Sequence, residues 1–208
     1  MNEQSLPALN QSEVESAKAK IGDTVSQSGT ADPFQTIAST PADSRPAGWV
    51  ERIGRYRIER LLGEGGFGRV WLGVDEELRR KVAIKVPKPQ RFQTPEDAEA
   101  YLTEARTVAM LDHPHIVPVY DVGRSDDGGV YVVSKFIEGR NLAEQIKAQR
   151  PNHAQAAQIL ATVADALHFA HKNGVVHRDV KPANILIDLA GRAYIADFGL
   201  ALKEAEFG

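Results

Sequence analysis

A glycine-rich segment between two strand-like runs constrains the fold of this chain more than any other sequence feature. The segment, G-E-G-G-F-G at residues 63–68, follows the β-type run 56–62 and precedes the run 69–74. Its glycines leave room for the backbone to approach a phosphate group. A dinucleotide-binding fold needs a helix after the last glycine, and a P-loop needs Lys followed by Ser or Thr there; Arg69-Val70 in a strand-like run argues against both. The segment therefore predicts a hairpin turn, and alone it is equally compatible with a plain surface turn.

Short apolar runs predict an antiparallel sheet in the first half of the chain. They are separated by glycines or charged turn residues, as is typical of strands. The predicted strands are 56–62, 69–74, 82–86, 116–122 and 130–137. The last two flank a Ser-Asp-Asp-Gly-Gly sequence, which favours a hairpin between them.

Helical patterns interrupt this sheet once and dominate after Gly139. Thr94-Pro95 opens the first of them, because a capping residue followed by proline is typical of a helix start. Two asparagines begin the other helical patterns. The predicted helices run from Thr94 to Leu111, from Asn141 to Gln149 and from Asn152 to about Lys172. Short strands are then predicted at 175–176, 185–187 and 193–196, which gives an α+β outline.

Residues 1–50 differ in composition from the rest of the chain. They are rich in Ser, Thr, Ala, Gln and Pro, lack a sustained apolar period, and predict a disordered tail. The tail holds three basic and six acidic residues, which accounts for the net charge of −3. Because the remaining residues are balanced in charge, no basic nucleic-acid-binding surface is expected.

The chain contains no cysteine, so a disulfide framework and thiolate metal sites are excluded. Its first 30 residues lack the basic start and continuous apolar stretch of a signal peptide, and no helical pattern is apolar enough to span a membrane. A cytoplasmic location is therefore expected for residues 56–208. Membrane anchoring beyond residue 208 stays open.

A lysine lies in the third predicted strand, in the sequence Val82-Ala83-Ile84-Lys85. An unpaired ammonium group is costly to bury, so Lys85 is expected to have an anionic partner. Glu104, in the helix that follows, is the candidate, and Glu99 is the alternative.

Two later motifs, H-R-D-V-K-P-A-N at 177–184 and D-F-G at 197–199, give the pattern a specific meaning. With the glycine-rich segment and Lys85, they occur in the order of the protein kinase signatures. The chain resembles the eukaryotic-like protein kinases, most closely their bacterial serine/threonine branch. The resemblance implies a protein-kinase-like fold: a five-stranded antiparallel N-terminal lobe with one helix at 56–138, then the beginning of a mainly helical C-terminal lobe at 139–208.

The resemblance also implies a role for each matched residue in ATP-dependent transfer of the γ-phosphate to protein Ser or Thr hydroxyls. Asp179 would act as the catalytic base and Lys181 would contact the γ-phosphate, while Glu104 would hold Lys85 against the α- and β-phosphates. Asn184 and Asp197 would bind Mg²⁺. The residues expected to bind ATP are Gly63, Glu64, Gly65, Gly66, Phe67, Gly68, Val70, Ala83, Lys85, Ser134, Phe136 and Ile137.

The kinase signatures stop within what would be the activation segment, so the resemblance implies a kinase domain truncated there. Two interpretations follow: a protein serine/threonine kinase, or a partial kinase module that binds nucleotide or a partner without transferring phosphate. The tail contains 11 Ser or Thr residues, which makes it a candidate site of autophosphorylation. The protein substrate, the activating signal and the oligomeric state are not indicated by the sequence.

Overall fold

The computed structural model describes residues 49–125 and 127–198. These residues form two sheets and three α-helices. The strands are β1 (Arg52–Ile53), β2 (Tyr56–Gly65), β3 (Gly68–Asp75), β4 (Arg80–Pro87), β5 (Val119–Arg124), β6 (Val130–Lys135), β7 (Gly139–Asn141), β8 (Ile185–Asp188) and β9 (Ala193–Ile195). The helices are α1 (Pro95–Ala109), α2 (Leu142–Ala148) and α3 (His153–Lys172).

The first sheet is antiparallel, with strand order β1-β2-β3-β4-β6-β5. One face packs a core built around Tyr56, Trp71 and Ile84, while the opposite face receives α1 through Tyr101, Ala105 and neighbouring apolar residues. The second sheet, of order β7-β8-β9, packs against α3. This is the α+β, protein-kinase-like arrangement that the sequence predicted.

All three helices begin with the capping residues that the sequence indicated. Thr94, Asn141 and Asn152 each accept a hydrogen bond from the backbone N–H three residues later. In each case the side chain at that later position accepts from the backbone N–H of the capping residue, which completes a capping box. None of the described helices is long and apolar enough to cross a membrane.

The first sheet has a sixth strand that the sequence did not predict. β1 pairs with the start of β2 through a turn in which Gly54 has φ 54°, and two residues are too few to show a periodicity. Trp49 packs edge-on against Trp71, with ring centroids 5.8 Å apart, so ordered packing begins before residue 56. The rest of the predicted tail, residues 1–48, lies outside the described residues.

Two of the predicted strands do not form as the sequence indicated. Residues 175–176 form no strand, because the Val175 N–H donates to the Ala170 carbonyl at the end of α3. The predicted strand 116–122 is divided: Ile116 forms an isolated bridge with Ile195 of β9, and regular pairing with β6 begins only at Val119. The segment before β5 therefore joins the two sheets instead of extending the first.

Candidate active site

A cleft lies between the first sheet and the segment 177–197, and it consists of two adjoining cavities of about 350 Å³ each. The first cavity is lined by the sheet, by the connection 135–137 and by β8, and the second by the glycine-rich turn and the segment 179–184. Of the expected site residues, the first cavity contains Gly63, Val70, Ala83, Lys85, Ser134, Phe136, Ile137, Asn184 and Asp197. The second contains Gly63, Glu64, Gly65, Phe67, Gly68, Val70, Lys85, Asp179, Lys181, Asn184 and Asp197.

Strand register determines which side chains of the sheet face the cleft. Val70 on β3 lies opposite Lys85 on β4, and Ala83 lies opposite Ser134 on β6. Because side chains alternate along a strand, Val70, Ala83 and Lys85 share the cleft face, whereas Trp71 points into the core and is only 2% exposed. The sheet thus places an apolar surface beside one ammonium group.

The glycine-rich turn lies above the second cavity. Gly68 has φ 143°, and a Cβ there would overlap the Val86 carbonyl oxygen, so only glycine fits this close strand approach. Gly66 occupies the turn and lines neither cavity. The Glu64 carboxylate pairs with Arg69 at 3.1 Å on the outside of the hairpin.

Asp179 is held by neighbours from its own segment. Its Oδ2 accepts hydrogen bonds from Lys181 Nζ at 2.7 Å and from Asn184 Nδ2 at 3.0 Å. The hydrogen bond from Lys181, helped by Asn184, keeps the pKa of Asp179 below its usual range despite partial desolvation. Asp179 is therefore ionised at neutral pH.

His177 links the segment 177–184 to Ala196. Its Nε2 lies 2.8 Å from the Ala196 carbonyl oxygen, and its Nδ1 accepts from the Asp179 N–H at 3.3 Å. A carbonyl only accepts and an N–H only donates, so the proton must be on Nε2 and the ring must be neutral. Burial lowers the pKa of His177, which agrees with this state, and the ring packs on Phe198 at 4.6 Å between centroids.

Lys85 and Glu104 are not paired in the structure, contrary to the expectation from sequence. Lys85 Nζ lies 3.0 Å from Asp197 Oδ1, and Glu104 Oε1 accepts from Arg178 at 3.0 Å. Glu99, the alternative partner, pairs with Arg106 and Arg124. Each cation thus binds a carboxylate from a segment remote in sequence. Residues 178 and 197 have left-handed backbone, with φ 62° and 60°.

Glu104 lies outside both cleft cavities. It lines a separate cavity between α1 and the segment 174–178, together with Arg178. Partial burial raises the pKa of its carboxyl group, and the charge of Arg178 opposes that effect. Glu104 therefore does not contribute to the lining of the cleft.

Asn184 and Asp197 present oxygen atoms that suit a hard cation. Asn184 uses Nδ2 for its two hydrogen bonds to Asp179, which leaves its carbonyl oxygen for a ligand role. Asp197 contributes a carboxylate that is 40% exposed to the cleft. Mg²⁺ is commonly bound by one or two carboxylates together with waters and substrate phosphates, and these two residues offer one carboxylate and one amide oxygen.

Several cleft residues were not identified from the sequence. The first cavity is also lined by Leu62, Val117, Arg140, Glu144, Leu186 and Ala196. Leu186 had a signal, because it alternates with the buried Ile185 and Ile187 on β8 and so must face the other way. Val117 and Glu144 had none, since tertiary packing alone brings their segments to the cleft. Gly199, the last residue of the D-F-G motif, lies outside the described residues.

Known protein kinases are similar to this chain in sequence. The family described as "Protein kinase domain" matches residues 56–206. The chain is 44% identical over 157 residues to the serine/threonine-protein kinase PknA of Mycobacterium tuberculosis, covering 73% of the chain and 36% of PknA. It is 42% identical over 149 residues to the serine/threonine-protein kinase PrkC of Bacillus subtilis, covering 71% and 23%.

Solved structures agree with this match. The crystal structure of the Mycobacterium tuberculosis PknI kinase domain superposes with a TM-score of 0.65 at 31% identity, over 72% of this chain and 60% of that one. The chain spans about a third or less of the length of the curated relatives named above.

Proposed function

The chain belongs to the protein kinase domain family, and from this premise we propose that it transfers the γ-phosphate of ATP to Ser or Thr hydroxyls of proteins. The observation that carries the proposal is the convergence of Lys85, Asp179, Asn184 and Asp197 on one cleft beneath a glycine-rich turn. ATP is the substrate expected there, with the adenine packed against Val70 and Ala83 and near the connection 135–137.

The cleft is suited to a nucleoside triphosphate because an apolar surface adjoins a group of charged side chains. Val70, Ala83 and Ile137 give the first cavity its apolar surface. Lys85 and Asp197 line both cavities, and in the second they lie near Asp179 and Lys181. Phosphoryl transfer depends mainly on positioning and on neutralising charge. In the proposal Lys85 binds the α- and β-phosphates and Lys181 the γ-phosphate.

Mg²⁺ is the proposed cofactor, and Asn184 and Asp197 are the residues that would hold it. The ion, when bound, would neutralise negative charge on the phosphates. Asp197 pairs with Lys85 through Oδ1, so its Oδ2 would be the oxygen that binds the ion while this pair is intact. We propose that Lys85 turns from Asp197 toward the phosphates when nucleotide binds.

Asp179 is the proposed acceptor of the substrate hydroxyl proton. Among the described residues, its Oδ1 has no hydrogen-bond partner, whereas Oδ2 is bound by Lys181 and Asn184. A carboxylate with a lowered pKa is a weak base, so its main contribution is to orient the hydroxyl while the proton leaves late. The position of Lys181, two residues after Asp179, resembles the arrangement in serine/threonine kinases and supports Ser/Thr specificity.

The proposed partner is a protein with Ser or Thr hydroxyls, and autophosphorylation of the Ser- and Thr-rich tail is included in the proposal. No nucleic-acid partner is proposed, and the proposed location is cytoplasmic. Phosphosite mapping of active full-length protein tests the autophosphorylation step. Sites confined to the segment after Gly199 would contradict the role proposed for the tail.

The proposal is tested first by nucleotide binding to the 208-residue chain. Isothermal titration should detect Mg-ATP binding that weakens when Mg²⁺ is replaced by EDTA. The second step uses the full-length protein and a Ser/Thr peptide with labelled ATP. Nucleotide binding without transfer by the full-length protein would favour the alternative, a partial kinase module that binds nucleotide or a partner. Absence of Mg-ATP binding would overturn the proposed kinase activity and leave only the partner-binding form of that alternative.

A further inference from the structure

Arg91 contacts the glycine-rich turn although it is distant from it in sequence. It is the last residue of the 3₁₀ turn Pro89–Arg91 that follows β4. Its guanidinium carbon lies 4.5 Å from the centroid of the Phe67 ring, within the usual distance of a cation–π contact. Within the described ranges, Arg91 forms no ion pair with a carboxylate, so the aromatic ring is its principal partner.

Phe67 also contacts a cation from the opposite wall of the cleft. Lys181 Nζ lies 5.3 Å from the same ring centroid. Phe67 therefore contacts a guanidinium from the sheet side of the cleft and an ammonium from the loop side. Its side chain is 38% exposed, so it is not fixed by burial, and these two contacts are what define its position.

The backbone next to Phe67 is anchored to the same region as Arg91. The Lys88 N–H donates to the Phe67 carbonyl at 3.4 Å, and Gly68 pairs with Pro87 in the β3–β4 ladder. By contrast, Gly65 pairs only with Gly68 across the hairpin itself, and a Cβ placed at Gly65 or Gly66 would meet no atom within 4 Å. The tip of the hairpin is thus joined to the rest of the sheet only through its β3 side, so the Phe67 side chain is the element that can hold the tip in position.

We propose that Arg91 is a positioning residue for the glycine-rich turn, which it holds over the phosphate end of the cleft through the ring of Phe67. The inference rests on the proposed function, because the cleft beneath the turn must bind the phosphates of ATP. Arg91 does not line either cleft cavity and acts only through Phe67. Its removal should weaken the hold on the phosphates and leave the adenosine contacts unchanged.

The test compares Mg-ATP and adenosine binding to the 208-residue chain and to Arg91→Met. An exposed cation–π contact is worth a ~2- to 5-fold change in affinity, so Mg-ATP should bind that much more weakly while adenosine binding is unchanged. Arg91→Lys should restore most of the loss, because it keeps the cation. Arg60→Met on β2 is the control, since it removes an equal charge from an exposed position outside the cleft.

A double-mutant cycle with Phe67→Leu identifies the route. If Arg91 acts through Phe67, Arg91→Met should have no further effect in the Phe67→Leu chain. Hydrogen exchange without nucleotide should also be faster at residues 65–67 in Arg91→Met. Equal loss of ATP and adenosine binding, or full loss in the Phe67→Leu background, would overturn the inference.

The outcomes separate this inference from the proposed function. Unchanged Mg-ATP affinity and unchanged exchange in Arg91→Met would remove the positioning role alone, provided that the unsubstituted chain binds Mg-ATP. Failure of the unsubstituted chain to bind Mg-ATP would remove the proposed function, and the inference with it.

Discussion

The two walls of the cleft are held in position by different interactions. The sheet wall presents residues such as Lys85 from continuous antiparallel ladders, in which β4 pairs with β3 on one side and β6 on the other. The loop wall, residues 177–184 and 197, has little regular pairing. There side chains bind backbone groups, as His177 does with Ala196 and Asn184 with Asp179, and two residues have left-handed backbone.

On the sheet wall, the groups that hold the structure differ from the groups that bind the substrate. On the loop wall, the same side chains do both. On the sheet wall, backbone hydrogen bonds fix each position, so a substitution should remove one chemical group and leave its neighbours in place. On the loop wall the functional side chains are also the scaffold, so a substitution changes chemistry and geometry together.

The largest expected effect is on the loop wall, at Asp179. In the full-length protein, Asp179→Asn should lower the rate of peptide phosphorylation by roughly 10²-fold or more, the scale of positioned acid–base catalysis, because the proton acceptor is lost. ATP affinity should change little, since the assigned partner is the substrate hydroxyl. Steady-state kinetics with a Ser/Thr peptide measure both. Asp112→Asn, an exposed residue outside the cleft, is the control, and near wild-type turnover in Asp179→Asn would show that the role is assigned to the wrong residue.

The next effect compares the two partners of one ion pair across the cleft. Lys85→Met should weaken ATP binding by about tenfold or more whether or not Mg²⁺ is present, because a charge-assisted contact is lost. Asp197→Asn should instead abolish the dependence of binding on Mg²⁺. Titrations with and without Mg²⁺ distinguish the two, and Lys81→Met, an exposed lysine on the same strand, should bind like the unsubstituted chain. Identical behaviour of both variants would contradict the separate roles.

A smaller effect is expected from the pair that links α1 to the loop wall. Glu104→Gln removes the ion pair with Arg178, which is partly exposed, so the free energy of unfolding should change by less than about 1 kcal/mol. If Glu104 pairs with Lys85 during turnover, phosphorylation by the full-length protein should nevertheless fall several-fold. Glu99→Gln breaks two surface ion pairs and should not alter turnover. Equal turnover in the two variants would argue against a functional role for Glu104.

The smallest expected effect is a pKa change within the loop wall. Lys181 is the main cause of the lowered pKa of Asp179, so Lys181→Met should raise that pKa toward its ordinary value. A group with a lowered folded-state pKa contributes stability above its unfolded-state pKa and loses it as pH falls through the folded-state pKa. On acidification, the variant should therefore lose the stability contributed by Asp179 at a higher pH than the unsubstituted chain does. Carboxyl-carbon NMR titration and acid unfolding measure both, and an unchanged Asp179 titration would mean that Asn184 dominates.

The regular elements were predictable because their signals are local. The capping boxes at Thr94, Asn141 and Asn152 depend on residues three positions apart, and the alternation in β3 and β4 follows from strand geometry. Failures came where one segment depends on another. β1 exists only by pairing with β2, and the predicted strand at 175–176 was replaced by a bond from Val175 to the end of α3.

Local patterns and short motifs were enough to predict the fold class, most of the helices and strands and the set of candidate catalytic residues. How the charges pair could be read only from the folded chain. Lys85 could pair with either Glu104 or Asp197. Which carboxylate lies nearer depends on the position of α1 relative to the loop wall, and no local sequence pattern encodes that position. The pairing of Lys85 with Asp197, of Glu104 with Arg178, and the placement of Arg91 on Phe67 are therefore properties of packing: electrostatic energy falls with distance, and distances between remote segments are fixed only in the folded chain.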